Sequence, residues 1–181
     1  MNDIFKLTID ITEKRGLVLI LTQDNAYQSK TNLIAELILN GPLFVLSGNE
    51  WLPAFALPRR IRERTTMMKE IMGHLYTTRA STCHRLFDSL ANIPSKGEPI
   101  LVLDLLHTFY DADIPLRVRL FRLRECCREL KRLAFYRPVI VMVQERETED
   151  YEKFIPALGS ITDKTFTLVP EPQQLRQPAL F

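Results

Sequence analysis

Four short runs of unbroken apolar residues constrain this chain more than any other feature: Leu17–Leu21, Leu43–Leu46, Ile100–Leu103 and Val139–Val143. A surface helix shows one apolar stripe, and a strand with one wet face alternates. A run of four or five residues with no polar break reads as a strand covered on both faces. Between the runs lie stretches with helical spacing. Thr31 to Asn40 carries Leu33, Ile34, Leu37 and Ile38, and Ile61 to Gly73 carries Met67, Met68, Ile71 and Met72. Cys83 to Asn92 carries Leu86, Phe87 and Leu90. In Leu116 to Phe135, the residues Leu116, Leu120, Leu123, Cys127, Leu130 and Ala134 repeat at four-three spacing. Further strands are expected at Phe5–Ile11, alternating with one wet face, at Thr165–Val169 and, more weakly, at Leu75–Thr78, with a polar loop at Pro94–Pro99. Strand and helix in alternation predict an α/β fold of three layers, a mostly parallel sheet with helices on both faces. Leu17–Leu21 and Ile100–Leu103 are expected to be neighbours. One domain is expected over residues 1–169, followed by a Pro/Gln-rich tail over 170–181.

Composition narrows the class. Of 181 residues, 46% are apolar and 25% charged, with a net charge of +2. A chain this size buries enough surface to fold without a disulfide or metal, and its balanced total charge does not by itself indicate a nucleic-acid or membrane partner. No apolar run approaches the ~20 residues needed to span a bilayer, and Met1 to Lys6 lacks the plan of a signal peptide. No membrane partner is expected, and the location expected is the cytoplasm, or the nucleus in a eukaryote. Cys83, Cys126 and Cys127 form no disulfide framework and have no zinc spacing with His74, His84 or His107. Cys83 reads as a buried thiol beside a surface His84.

In parallel sheets ligands bind beyond the carboxyl ends of the strands, so chemistry is sought there. After Leu17–Leu21 the chain reads Thr22-Gln23-Asp24-Asn25-Ala26-Tyr27-Gln28-Ser29-Lys30-Thr31 and enters a helix. A phosphate-binding loop has this strand-loop-helix setting and a Lys-Ser/Thr pair where Lys30-Thr31 stand. Its two glycine positions, however, hold Asp24 and Ser29. Side chains there resist the curl that turns backbone N–H groups toward phosphate. The loop is either a descendant of such a phosphate loop or an ordinary helix start with Ser29 as N-cap. Asp104 ends the run Ile100–Leu103, where an acid orients magnesium in phosphoryl-transfer proteins or simply caps a strand end. Gln144 follows Val139–Val143, placed to sense a terminal phosphate or to end a strand.

Taken in order, these pieces resemble the ATPase core of RecA-type recombinases. The likeness is greatest from His74 to Gln144: His74-Leu75-Tyr76-Thr77-Thr78-Arg79-Ala80, then Leu101-Val102-Leu103-Asp104-Leu105-Leu106-His107-Thr108-Phe109-Tyr110, then Val139-Ile140-Val141-Met142-Val143-Gln144. The resemblance implies a RecA-like core in which Ser29, Lys30, Thr31, Asp104 and Gln144 surround ATP, Thr31 and Asp104 hold magnesium, and Glu50 is the candidate catalytic acid. The departures matter as much. The loop glycines are missing, and the segment after Gln144, where the family's second DNA-binding loop falls, is the acidic Glu145–Lys153, which repels phosphate. The chain thus resembles a degenerate paralogue that acts by protein, and in some cases DNA, binding in recombination or repair. The alternative is a weak Mg-ATPase of the same superfamily using Lys30, Thr31, Asp104 and Glu50. Without the resemblance, the chain is an α/β domain of some other small-molecule function.

Positive charge clusters despite the balanced total. Arg59, Arg60, Arg62 and Arg64 form one group. Residues 115–137 hold eight basic residues against Glu125 and Glu129. Arg117, Arg124, Arg128 and Lys131 fall near one helical stripe and are the candidate DNA contacts. The same pattern also describes a solvated outer face, or one end of a dipolar protein that docks a protein partner or a second copy. Trp51 to Pro58 reads either as a core plug through Trp51 and Phe55 or as an apolar partner site.

Overall fold

The structure is a computed structural model that describes residues 15–23, 27–48, 53 and 55–168. The expected strand at Phe5–Ile11 and the tail beyond residue 168 lie outside the described residues, as do Asp24, Glu50 and Trp51.

Among the described residues six parallel strands form one sheet: β1 (Gly16–Thr22), β2 (Leu43–Ser47), β3 (Leu75–Arg79), β4 (Ile100–Leu103), β5 (Pro138–Gln144) and β6 (Lys164–Leu168). The spatial order is β3-β2-β4-β5-β1-β6. The expected neighbours β1 and β4 are therefore not paired. β5 lies between them, in register with β1 from Gly16↔Pro138 to Thr22↔Gln144 and with β4 from Ile100↔Val139 to Val102↔Val141. Periodicity marks which runs are buried on both faces but carries no record of which run sits beside which.

The solid apolar runs follow from this order. β1, β4 and β5 are interior strands, and their successive side chains enter opposite cores. Leu17, Leu19, Val102, Val139, Val141 and Val143 face one core, while Val18, Ile20, Leu101, Leu103, Ile140 and Met142 face the other. The second core is closed by α1 (Tyr27–Leu39), α2 (Ala56–Arg62) and α3 (Met68–Met72). The first is closed by α4 (Cys83–Asn92), α5 (Leu116–Ala134) and α6 (Glu149–Gly159). A short 3-10 turn, Leu105–Phe109, joins β4 toward α5. β3 is an edge strand with Tyr76, Thr77, Thr78 and Arg79 exposed, which explains its weaker apolar signal.

Local chemistry sets the helix limits. Thr82 and Thr148 cap α4 and α6 by accepting the backbone N–H groups of Arg85 and Tyr151. The single helix expected over Ile61–Gly73 is instead two. α2 begins earlier, with Pro58 in its first turn, where a missing N–H removes no helical bond. The chain then breaks at residues 63–67, where Thr65 Oγ1 accepts the Met67 N–H at 3.1 Å and competes with helical bonding. α1 also starts earlier than expected, so Ser29 lies inside the helix and is not its N-cap. The acidic segment after Gln144 is a loop only as far as Thr148, and the rest is α6. Phe55 is 96% exposed, so the core-plug reading of Trp51 to Pro58 fails for the one of its two aromatic rings that is described.

Candidate functional site

The carboxyl ends of β1, β4 and β5 meet the start of α1, and this junction collects most of the residues singled out by sequence. Ser29, Lys30 and Thr31 are all buried on the inner side of α1. Lys30 Nζ lies 3.8 Å from Asp104 Oδ1, and the two side chains are only 8% and 7% exposed. The Thr31 hydroxyl donates to the Tyr27 carbonyl at 2.9 Å, one turn back along α1. Gln144 ends β5 opposite Thr22, and the Glu145 N–H donates to the Thr22 carbonyl at 2.8 Å, holding the two strand ends together.

Asp104 makes the turn out of β4 at φ 49° and ψ 46°. Among the described residues it is the only non-glycine in the left-handed region. Asp tolerates that region better than most residues, because its short side chain bonds locally. A close approach of β2 fixes the turn from behind. The Gly48 N–H donates to the Leu103 carbonyl at 2.9 Å, and a Cβ on Gly48 would stand 2.6 Å from the Asp104 carbonyl oxygen. Only glycine lets the two strand ends come this close.

Beside Asp104 and Gln144 is a small cleft, also lined by Leu106, His107, Tyr110 and Arg146, with a volume of about 10 Å³. That is roughly the room for one water molecule. The Arg146 guanidinium stacks 4.5 Å above the Tyr110 ring. Burial pushes the Tyr110 phenol up to about 12, against the lowering pull of Arg146. Sequence reasoning missed Tyr110 and Arg146 as cleft residues, because they come together only through the return of the chain from β5 past the 3-10 turn. Glu50 lies outside the described residues.

The basic residues of α5 and its exit divide into two sets. Four are built into the fold. Arg119 donates to the carbonyls of Phe109 and Ile114 and to Asp150. Arg122 pairs with Glu125 and donates to His84. Arg132 pairs with Glu129 and donates to Ser95 Oγ and to the carbonyls of Leu90 and Ile93. Arg137 donates to the carbonyls of Pro94, Ser95 and Glu98. Glu125 and Glu129 are therefore engaged by Arg122 and Arg132 and not by their sequence neighbours. Arg117, Arg124, Arg128 and Lys131 are exposed, with no hydrogen bond or ion pair among the described residues. In the other basic group, Arg60 pairs with Glu63 and Arg64 with Glu36 at 2.7 Å.

The three cysteines are buried, and burial raises all three thiols, Cys127 to about 11. At pH 8 only on the order of one Cys127 in a thousand is thiolate, and the thiolate is the reactive form. The native protein is expected to leave all three thiols unlabelled by an aromatic disulfide reagent over a period in which the urea-unfolded chain labels fully. An unfolded thiol titrates near 9 and loses its proton first, so stability is full below pH 9 and falls as the pH rises toward 11. A fast-labelling thiol in the native protein, or a melting temperature flat across that window, would contradict this packing.

Among the described residues no helix is long and apolar enough to cross a membrane. No protein-family model matches the chain, and no curated protein matches it either.

Proposed function

We propose that this chain is a RecA-like accessory protein that acts by docking partners, not by turning over nucleotide, in DNA recombination or repair within the cytoplasm or nucleus. The observation that carries the reading is the buried Lys30–Asp104 pair. Each side chain meets the other where a phosphate and a magnesium ion would need them. The Thr31 hydroxyl, the other candidate magnesium ligand, is turned back onto the Tyr27 carbonyl. A triphosphate needs several hundred Å³ of concave space, whereas the cleft beside Asp104 and Gln144 is about 10 Å³. Among the described residues, which do not include Asp24, Asn25 and Ala26 of the loop, that cleft is too small for a nucleotide. The all-parallel sheet with helices on both faces is consistent with the RecA-like part of the reading.

The alternative, a weak ATPase of the same superfamily, draws on the fact that Lys30 and Asp104 do meet and that Gln144 lines the same cleft. Calorimetric titration of Mg-ATP separates the two readings. No saturable heat is expected at millimolar nucleotide from the wild-type protein or from Lys30→Ala. Saturable binding by the wild type that disappears in Lys30→Ala would replace the docking reading with the ATPase one.

A further inference from the structure

The outward face of α5 is unusual in composition and in order. Arg117, Phe121, Arg124, Arg128, Lys131 and Phe135 follow one another at spacings of four, three, four, three and four residues. They form a single stripe on the side opposite the buried Leu123, Cys126, Leu130 and Leu133. The stripe is about 27 Å long at the helical rise. Phe121 is 55% and Phe135 72% exposed, with Val118 and Tyr136 exposed alongside them. Its cations have no ion-pair partner among the described residues, because the acids of the helix are engaged at its flanks by Arg122 and Arg132.

We propose that this stripe docks an acidic helical segment of a partner protein, with carboxylates meeting Arg117, Arg124, Arg128 and Lys131 and apolar side chains covering Phe121 and Phe135. The proposal deepens the docking role above and rests on it for the class of function, not for the surface. The four-three spacing keeps all six side chains on one face of α5, so a second helix laid along it would meet each of them. Exposed aromatics interleaved with arginine are the chemistry of protein-interface anchors. Charge complementarity sets the sign of the partner. A second copy placed stripe to stripe would bring like charges face to face and is disfavoured for that reason. A long polyanion fits less well than a short acidic helix. The apolar side chains of a helix cover Phe121 and Phe135, which a duplex phosphate backbone leaves in water.

The test is a fluorescence-anisotropy titration with a labelled helical peptide of about 20 residues, carrying Glu opposite the four cations and Leu opposite the two phenylalanines. A Lys-for-Glu version of the peptide and single-stranded and duplex oligonucleotides of matching length complete the set. The acidic peptide is expected to bind and the Lys version not. R124E/R128E and F121S/F135S are each expected to weaken binding by about tenfold or more, with a cooperative thermal melt retained in both; Phe121 lies 5.9 Å from the Arg122 guanidinium and Phe135 5.1 Å from the Tyr136 ring, so the phenylalanine pair shifts Tm more than the arginine pair. R124Q/R128Q serves if charge reversal disturbs the helix. Oligonucleotide binding that is tighter than peptide binding and steeply salt-dependent would make the stripe a nucleic-acid surface and overturn the proposal. So would peptide binding indifferent to F121S/F135S, or no binding at all. None of these outcomes alters the nucleotide titration, so failure of the surface is distinguishable from failure of the docking reading.

Discussion

Replacing Arg119 with Ala is expected to lower stability by about 3–5 kcal/mol, or roughly 10 °C in Tm for a chain of this size, while Arg124→Ala on the same helix stays within about 0.5 kcal/mol of wild type. Both residues are arginines on one face-alternating stretch, five positions apart. Arg119 is 7% exposed. Its Nε donates to the Ile114 carbonyl at 2.9 Å, and its Nη1 donates to the Phe109 carbonyl at 2.9 Å and to Asp150 at 2.5 Å. The guanidinium also lies 5.7 Å from the centre of the Phe154 ring. A cation in the first turns of a helix opposes the helix dipole, and these acceptors offset that cost. Removing the side chain leaves two carbonyls and a carboxylate without their donor, and loosens α6 from α5. Lysine does not rescue, since a single ammonium cannot match the planar fork that reaches three acceptors. Paired urea and thermal melts of the two variants check this. Equal midpoints would mean that Arg119 is not the clasp described.

That contrast marks where the sequence was legible. The buried strands were readable because an interior parallel strand must be apolar on both faces, and β1, β4 and β5 are. The apolar stripe of α5 was readable for the matching reason at a period near 3.6. The order of the strands was not, since apolar runs of similar length are interchangeable until they pair. β5 accordingly stands where β4 was expected. The break between α2 and α3 was hidden because Ile61, Met68, Ile71 and Met72 keep helical spacing across it, while a hydroxyl-to-backbone bond at Thr65 redirects the chain. At the site, Lys30, Asp104 and Gln144 were legible as strand-end and helix-start residues, but their mutual contacts were not. Nothing in the spacing says that Lys30 meets a carboxylate, or that Arg146 stacks on Tyr110. The outer stripe of α5 was half legible. Its cations were, while Phe121 and Phe135 count as ordinary apolar residues until their exposure is known.

Lys30→Met is expected to cost about 3–5 kcal/mol when made alone, because it removes the ammonium 3.8 Å from a carboxylate that is 7% exposed. Asp104→Asn alone is expected to cost a similar amount, because it sets a neutral amide beside the buried Lys30 ammonium, although Asn, like Asp, accepts the left-handed backbone at this position. The double variant should recover at least about 1.5 kcal/mol of the summed single effects, as both charges are then gone from a site where each is less than a tenth exposed. The coupling, not either single loss, is the diagnostic quantity. If Lys30 and Asp104 serve each other, the cycle shows strong coupling in the absence of nucleotide, and adding millimolar Mg-ATP leaves every melt where it was. If they serve a ligand, the coupling is within about 0.5 kcal/mol, and Mg-ATP raises the wild-type melting temperature by mass action. A carboxylate and an ammonium held together at 3.8 Å in a nearly dry junction favour the first outcome. In that outcome any bound phosphate would first have to break this one internal contact.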